Sequence, residues 1–150
     1  MLERLAKMPI TQLYITLPAP DKETFERSCN PLIPGAWKKI RASLKLLPAF
    51  NCRKAIRITL AKGCNMLHPE AYAELIKGLK ADFFEIKAYM HVGYSRYRLE
   101  IGNMPLHSEI KAFAEQIAHY AGLSIIDEKP LSRVVLLQRA NSIERLLQNK

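Results

Sequence analysis

Three short β-favouring runs, QLYITL from Gln12, AIRITLA from Ala55 and DFFEIKAYM from Asp82, are separated by stretches that read as helices. Parallel neighbours need a long crossover to bring the chain back to the same edge of a sheet, so this alternation restricts the chain to α/β architecture. The clearest strand is Ala55 to Ala61, where Ile56, Ile58 and Leu60 alternate with Arg57, Thr59 and Ala61 at the period of two that separates sheet faces. Pro34 and Gly35 open a helix with Trp37, Ile40, Leu44 and Leu47 on one stripe, and Pro69 opens another carrying Tyr72, Leu75, Ile76 and Leu79. Between Pro20 and Pro34 the pattern predicts a long loop. Ser108 is the expected cap of a third helix with Ile110, Phe113, Ala114 and Ile117 inward, ended by Gly122. Short β runs follow at Leu123 to Ile126 and Arg133 to Leu137, and the tail from Asn141 to Leu147 reads as one last amphipathic turn or two.

Charge sits where a parallel sheet is normally apolar. In a doubly wound sheet both faces are covered and strands read as nearly continuous Val, Ile and Leu. Here Arg57 and Thr59 on one strand and Glu85 and Lys87 on the next share an alternate face. Burying such groups unpaired costs several kcal/mol each. Two arrangements satisfy them: the polar lumen of a barrel or partial barrel, or a sheet with one solvated face.

Composition narrows the partners. A formal net charge of +9 favours a polyanion such as nucleic acid. No apolar run approaches the roughly 20 residues of a membrane span, and the N-terminus lacks the apolar middle of a secretory signal, so a cytoplasmic, membrane-free protein is expected. Cys29, Cys52 and Cys64 are widely spaced with no CxxC pair, which indicates neither a disulfide framework nor a metal site. Reduced thiols are expected.

The loops leaving the strands carry further chemistry. Lys62, Gly63, Cys64 and Asn65 follow the second strand, where glycine allows a tight turn and lysine and asparagine bring donors to the rim. After the third strand come Gly93, Tyr94, Ser95, Arg96, Tyr97 and Arg98, tyrosine and arginine in alternation. These residue types stack on unpaired bases and fork onto phosphates, the favoured chemistry for single-stranded RNA loops. A solvated connection is the plainer alternative.

In order and spacing, QLYITLPAP, PGAW, RITLAKGCN, AYAELI, EIKAYMHVGYSRYRL, NMPLHSEIKAF and SRVVLL resemble the C-terminal half of the radical S-adenosylmethionine family that makes 4-demethylwyosine in phenylalanine tRNA. The resemblance runs from about Pro9 to Leu137. It implies the C-terminal half of a partial (β/α)₆ barrel over residues 1–100 and a wyosine-base-formation extension over 101–150, packed as one compact unit. It implies as substrate an N1-methylguanosine beside the anticodon of tRNA(Phe), from whose methyl group a radical derived from S-adenosyl-L-methionine abstracts hydrogen, with pyruvate closing the third ring. It further implies [4Fe-4S] clusters held by an N-terminal radical S-adenosylmethionine half, separately encoded or deleted, because the three cysteines here lack cluster spacing. This sequence departs from the family at Pro18, where a carboxylate is usual, at Asn30 and at Ala88.

On that resemblance Lys87, Glu85 and Arg57 are the candidate catalytic residues, with Lys87 meeting the pyruvate carboxylate or a developing negative charge. Lys87 as a mere structural partner of Glu85 is the competing reading. Thr16, Thr59, Lys62 and Asn65 are the candidates for S-adenosylmethionine. Tyr94, Ser95, Arg96, Tyr97, Arg98 and Arg133 are the candidates for the anticodon arm. Three functional expectations result: a subunit that works only with a cluster-bearing half, a cluster-free tRNA-binding remnant, or a fragment of a longer enzyme.

Overall fold

Ile56, Ile58 and Leu60 are fully buried while the intervening Arg57 and Thr59 stay half-buried, so the period of two in the sequence becomes a strand with one apolar and one polar face. The computed structural model describes residues 2–140. Its order is α1 (Leu2–Leu5), β1 (Gln12–Thr16), α2 (Lys22–Cys29), α3 (Ala36–Lys45), β2 (Arg53–Leu60), α4 (Pro69–Lys77), β3 (Phe83–Ala88), α5 (His107–Ala121), β4 (Leu123–Lys129) and β5 (Val134–Arg139). The expected amphipathic tail, Asn141 to Leu147, lies outside the described residues.

The strands form one five-stranded sheet in the order β1-β2-β3-β5-β4. The pairs β1–β2 and β2–β3 are parallel, as the crossovers dictate, whereas β5 runs antiparallel to both β3 and β4. The sheet is therefore mixed. A short turn at Pro130–Ser132 joins β4 to β5, and so short a link can only reverse the chain. Register places Arg57 opposite Thr16 on one side and Glu85 on the other, and Lys87 between Thr59 and Val134.

Helices α3, α4 and α5 pack against the sheet in one shared core. Leu44 of α3, Tyr72 and Ile76 of α4, and Ile110, Ala114 and Ile117 of α5 share a single core with Ile56, Ile58, Leu60, Phe84, Ile86, Val135 and Leu137 of the sheet. The Tyr72 and Phe113 rings meet edge to face, 6.1 Å apart, and tie α4 to α5. Burial of about 25 cal/mol per Å² of apolar surface drives this layer together. The opposite face, with Arg57, Glu85 and Lys87, is an open concavity among the described residues. A strand partner for β1 is likewise absent among them, so the sheet ends there in a parallel edge.

Two local expectations are corrected. The segment after Pro20 is not all loop: α2 forms there, capped by Asp21, whose carboxylate accepts the Thr24 N–H at 2.8 Å. Its apolar face is only Thr24 and Phe25, too little to register as a periodic stripe. Nor does Ser108 cap α5. The helix begins at His107 with Leu106 at its N-cap, two residues earlier, and the Glu109 carboxylate satisfies the Leu106 N–H at 2.7 Å, a reach-back that any good acceptor three residues along can make. Gly122 does end α5, at a φ of 65° that glycine adopts without a Cβ penalty.

Candidate functional site

Two concavities hold the candidate residues. The first is the open sheet face, a shallow basin of about 440 Å³ whose lining includes Tyr14, Arg57, Glu85, Lys87 and Ser132. Arg57 donates to both oxygens of Glu85, from Nε at 2.8 Å and Nη2 at 3.3 Å, the forked geometry that suits a guanidinium. Those bonds hold the Arg57 pKa above its ordinary value. Its guanidinium also lies over the Tyr14 ring, 4.9 Å from the centroid. Arg57 is 41% exposed and Glu85 15%, so the pair forms a floor rather than a buried bridge. Lys87, next along β3, has no ion-pair or hydrogen-bond partner among the described residues. Glu85 pairs with Arg57 and not with Lys87, unlike the competing expectation of a Lys87–Glu85 pair.

The second concavity, about 460 Å³, opens at the carboxyl ends of β1, β2 and β3, where the loops of parallel sheets build binding sites. Thr16, Thr59, Asn65, Ser95 and Arg98 line it together, so three of the four cofactor candidates meet two of the RNA candidates. Asn65 is buried, and both hydrogens of its side-chain amide are committed within the protein. Its Oδ1 accepts the Ala61 N–H at 2.8 Å, and its Nδ2 donates to Pro18 O at 2.9 Å and Thr59 O at 2.8 Å. It binds the end of β1 to the end of β2. Lys62 does not line this cleft; its ammonium pairs with Glu109 at 3.1 Å, fastening the β2 loop to the start of α5. That ion pair and the Leu106 N–H, the larger cause, hold the Glu109 carboxyl below its ordinary pKa.

The arginine and tyrosine loop is a 3-10 turn over Gly93–Tyr97. Tyr94 is 87% exposed and Tyr97 81%, their ring centroids 6.1 Å apart, an unusual display of aromatic surface. Ser95 anchors the turn: its hydroxyl donates to Val92 O at 2.6 Å and accepts from the Tyr89 hydroxyl at 3.1 Å. Arg96 donates to Gly93 O at 3.3 Å. Arg133 stands apart from the turn in its contacts, since its guanidinium donates to Pro105 O at 2.8 Å and its φ of 48° marks a strained bend into β5.

Sequence reading passed over Tyr14, Tyr89 and Arg27. Tyr14 sits in β1 at a position whose face only the β1–β2 register reveals. Tyr89 continues the alternation of β3, and Arg27 lines the strand-end cleft from α2, the helix the pattern missed. Among the described residues no group of three or more His, Cys, Asp or Glu is placed to hold a metal, so the cysteines do not fit an iron–sulfur cluster. No described helix is long and apolar enough to cross a membrane.

Known proteins place this architecture. Residues 79–139 match the family described as wyosine base formation. The chain is 48% identical over 134 residues to the S-adenosyl-L-methionine-dependent tRNA 4-demethylwyosine synthase of Pyrococcus abyssi, a match covering 89% of this chain and 39% of that protein. A solved structure of TYW1 with a lysine-pyruvate adduct bound superposes with a TM-score of 0.80 at 34% identity, covering 91% of this chain and 43% of that one. A crystal structure of archaeal TYW1 gives 0.71 at 30% identity, covering 93% and 44%. The chain is homologous to the C-terminal region of tRNA 4-demethylwyosine synthase. It spans about two fifths of the length of that relative.

Proposed function

We propose that this chain forms the substrate-binding side of a tRNA 4-demethylwyosine synthase. Its partner is a cluster-bearing half, on the same or another polypeptide, that pairs with the β1 edge and turns the open face into the lumen of a partial (β/α)₆ barrel. S-adenosylmethionine, cleaved at a [4Fe-4S] cluster of that half, supplies the radical for the N1-methyl group of the target guanosine. The residues of this chain bind and orient. Thr16 and Thr59 offer hydroxyls to the cofactor, while Asn65 and Lys62 act on it indirectly, by fixing the loops around the cleft. Tyr94, Tyr97, Arg96 and Arg98 take the anticodon arm, the rings stacking on bases and the guanidiniums meeting phosphate. Ser95 holds their turn, and Arg133 supports the neighbouring rim.

The single observation that carries the reading is Lys87: an ammonium on a half-buried polar face, with no partner among the described residues, in a relative of enzymes one of which binds a lysine-pyruvate adduct. Lys87 meets pyruvate, holding its carboxylate or the negative charge that develops as carbon is transferred. A cation so placed is worth more in a water-excluded site than on an open surface, which is why closure of the barrel belongs to the proposal.

Anaerobic co-expression with a cluster-bearing half tests it. The expected result is a copurifying, iron-containing complex that converts N1-methylguanosine in tRNA when given pyruvate and S-adenosylmethionine. A chain that ignores the other half while binding tRNA in a strongly salt-dependent way would instead be a cluster-free tRNA-binding remnant, the reading that the exposed Tyr94 and Tyr97 also permit.

A further inference from the structure

Glu85 and Lys87 lie on the same strand and the same face, two residues apart. Strand geometry sets their Cβ atoms about 6.6 Å from each other, well within reach of a lysine stem. Left to themselves these side chains would pair. Arg57 prevents it: directly opposite Glu85 in register, it engages both carboxylate oxygens, at 2.8 and 3.3 Å. The planar fork of arginine matches a carboxylate in a way that a single ammonium does not. Tyr14 supports the guanidinium through its ring face, 4.9 Å away.

The other acids of the basin are also occupied. Glu128 is held by His107 at 3.0 Å and Lys111 at 2.9 Å, and Asp127 has interactions of its own. Lys87 thus faces the basin with no internal counter-ion among the described residues.

We propose that Arg57 is a positioning residue that sequesters Glu85, so that Lys87 meets the carboxylate of its substrate without competition from a carboxylate of the protein. The inference rests on the reading of Lys87 as the group that meets pyruvate. Its physical core is effective concentration. A carboxylate on the same strand competes as an intramolecular ligand at an effective concentration on the order of millimolar or above, enough to displace a small free acid such as pyruvate. Arg57 removes that competitor, and Tyr14 keeps the guanidinium in the plane the carboxylate needs. Glu85 has a purpose in turn, since it holds the Arg57 cation away from the position of the substrate anion that Lys87 is to bind.

The test compares Arg57→Met with the double variant Arg57→Met/Glu85→Gln in the assembled enzyme. Methionine keeps the apolar stem under Tyr14 and deletes the charge. The expected result for Arg57→Met is a KM for pyruvate raised about tenfold, the effect of one competing interaction worth about 1.4 kcal/mol, with kcat changed far less. The double variant should recover most of that loss because the freed acid is gone, and Arg57→Lys should fall between wild type and Arg57→Met. A purely structural role for Arg57 predicts the opposite order, with the double variant no better than the single. That order, or an unchanged KM in Arg57→Met, overturns the proposal. A crystal structure of the Arg57→Met chain is the second readout: Glu85 within about 4 Å of the Lys87 ammonium is expected, and Glu85 turned elsewhere overturns it. Failure of the underlying reading looks different. Lys87→Ala would then leave the pyruvate KM unchanged, while the crystallographic pairing of Glu85 with Lys87 in Arg57→Met could still be observed.

Discussion

Replacing Asn65 by alanine should destabilise the chain far more than any loss of a cofactor contact would. The side chain is 7% exposed and makes three hydrogen bonds, from the Ala61 N–H and to the Pro18 and Thr59 carbonyls. Each such bond contributes about 1 kcal/mol net, so deleting all three and leaving their partners buried costs about 3 kcal/mol. In a domain of this size 1 kcal/mol moves the melting temperature by about 2–4 °C, which predicts a fall of about 6–12 °C. Urea denaturation followed by circular dichroism should show the loss as a lower midpoint at unchanged slope. Asn65→Asp should be nearly as costly, because a carboxylate keeps the acceptor for Ala61 but has no hydrogen to give Pro18 and Thr59. Lys62→Ala is the internal control: the Lys62–Glu109 pair is over one third exposed on both sides and is worth under about 1 kcal/mol. Equal destabilisation by Asn65→Ala and Lys62→Ala, or a loss of under about 1 kcal/mol for Asn65→Ala, would refute the account of Asn65 as a brace between strands.

Tyr94→Ala and Arg96→Ala should each weaken tRNA binding about tenfold in filter or fluorescence assays, in line with one lost base stack or phosphate contact, and should leave the melting temperature unchanged. Lys45→Ala, at the end of α3, should have a smaller effect than Arg96→Ala; equal effects would remove the turn from the interface. Acid should loosen the link between the β2 loop and α5. The Glu109 carboxyl is held below its ordinary pKa in the fold, so its contribution is present above about pH 4.3, where it is ionised in both states, and fades as pH falls through the lower folded value. Glu109→Gln should flatten that limb of a stability profile measured from pH 7 to pH 3, and an unaltered limb would discount the pair.

The strands were legible because their alternation is nearly uninterrupted: Ile56, Ile58 and Leu60 could face the core in only one way. Helices with a broad apolar stripe were legible for the same reason, and α2 was not because Phe25 is its single large buried side chain. The polar face was visible as charge at alternate positions, but periodicity does not encode whether such a face is a lumen or a solvated side. Pairing was the least legible level. Arg57 and Lys87 are both cations near Glu85 on the sheet, and the choice between them is made by the parallel β2–β3 register, a property of the crossover. Asn65 illustrates the same limit. A polar residue in a loop after a strand suggests a ligand contact, and only the folded positions of Pro18 and Thr59 show that both of its amide hydrogens are taken.

On the proposed function, Lys87 meets pyruvate once the chain is assembled with a cluster-bearing half. The most direct measurement supplies isotopically labelled pyruvate to the anaerobic complex with its cluster-bearing half and analyses the digested tRNA nucleosides by mass spectrometry. Label should enter the tricyclic base with the wild-type chain and fall by at least about a hundredfold with Lys87→Ala, the scale on which loss of one stabilising group in an active site is felt. Equal incorporation by the two would contradict the assignment.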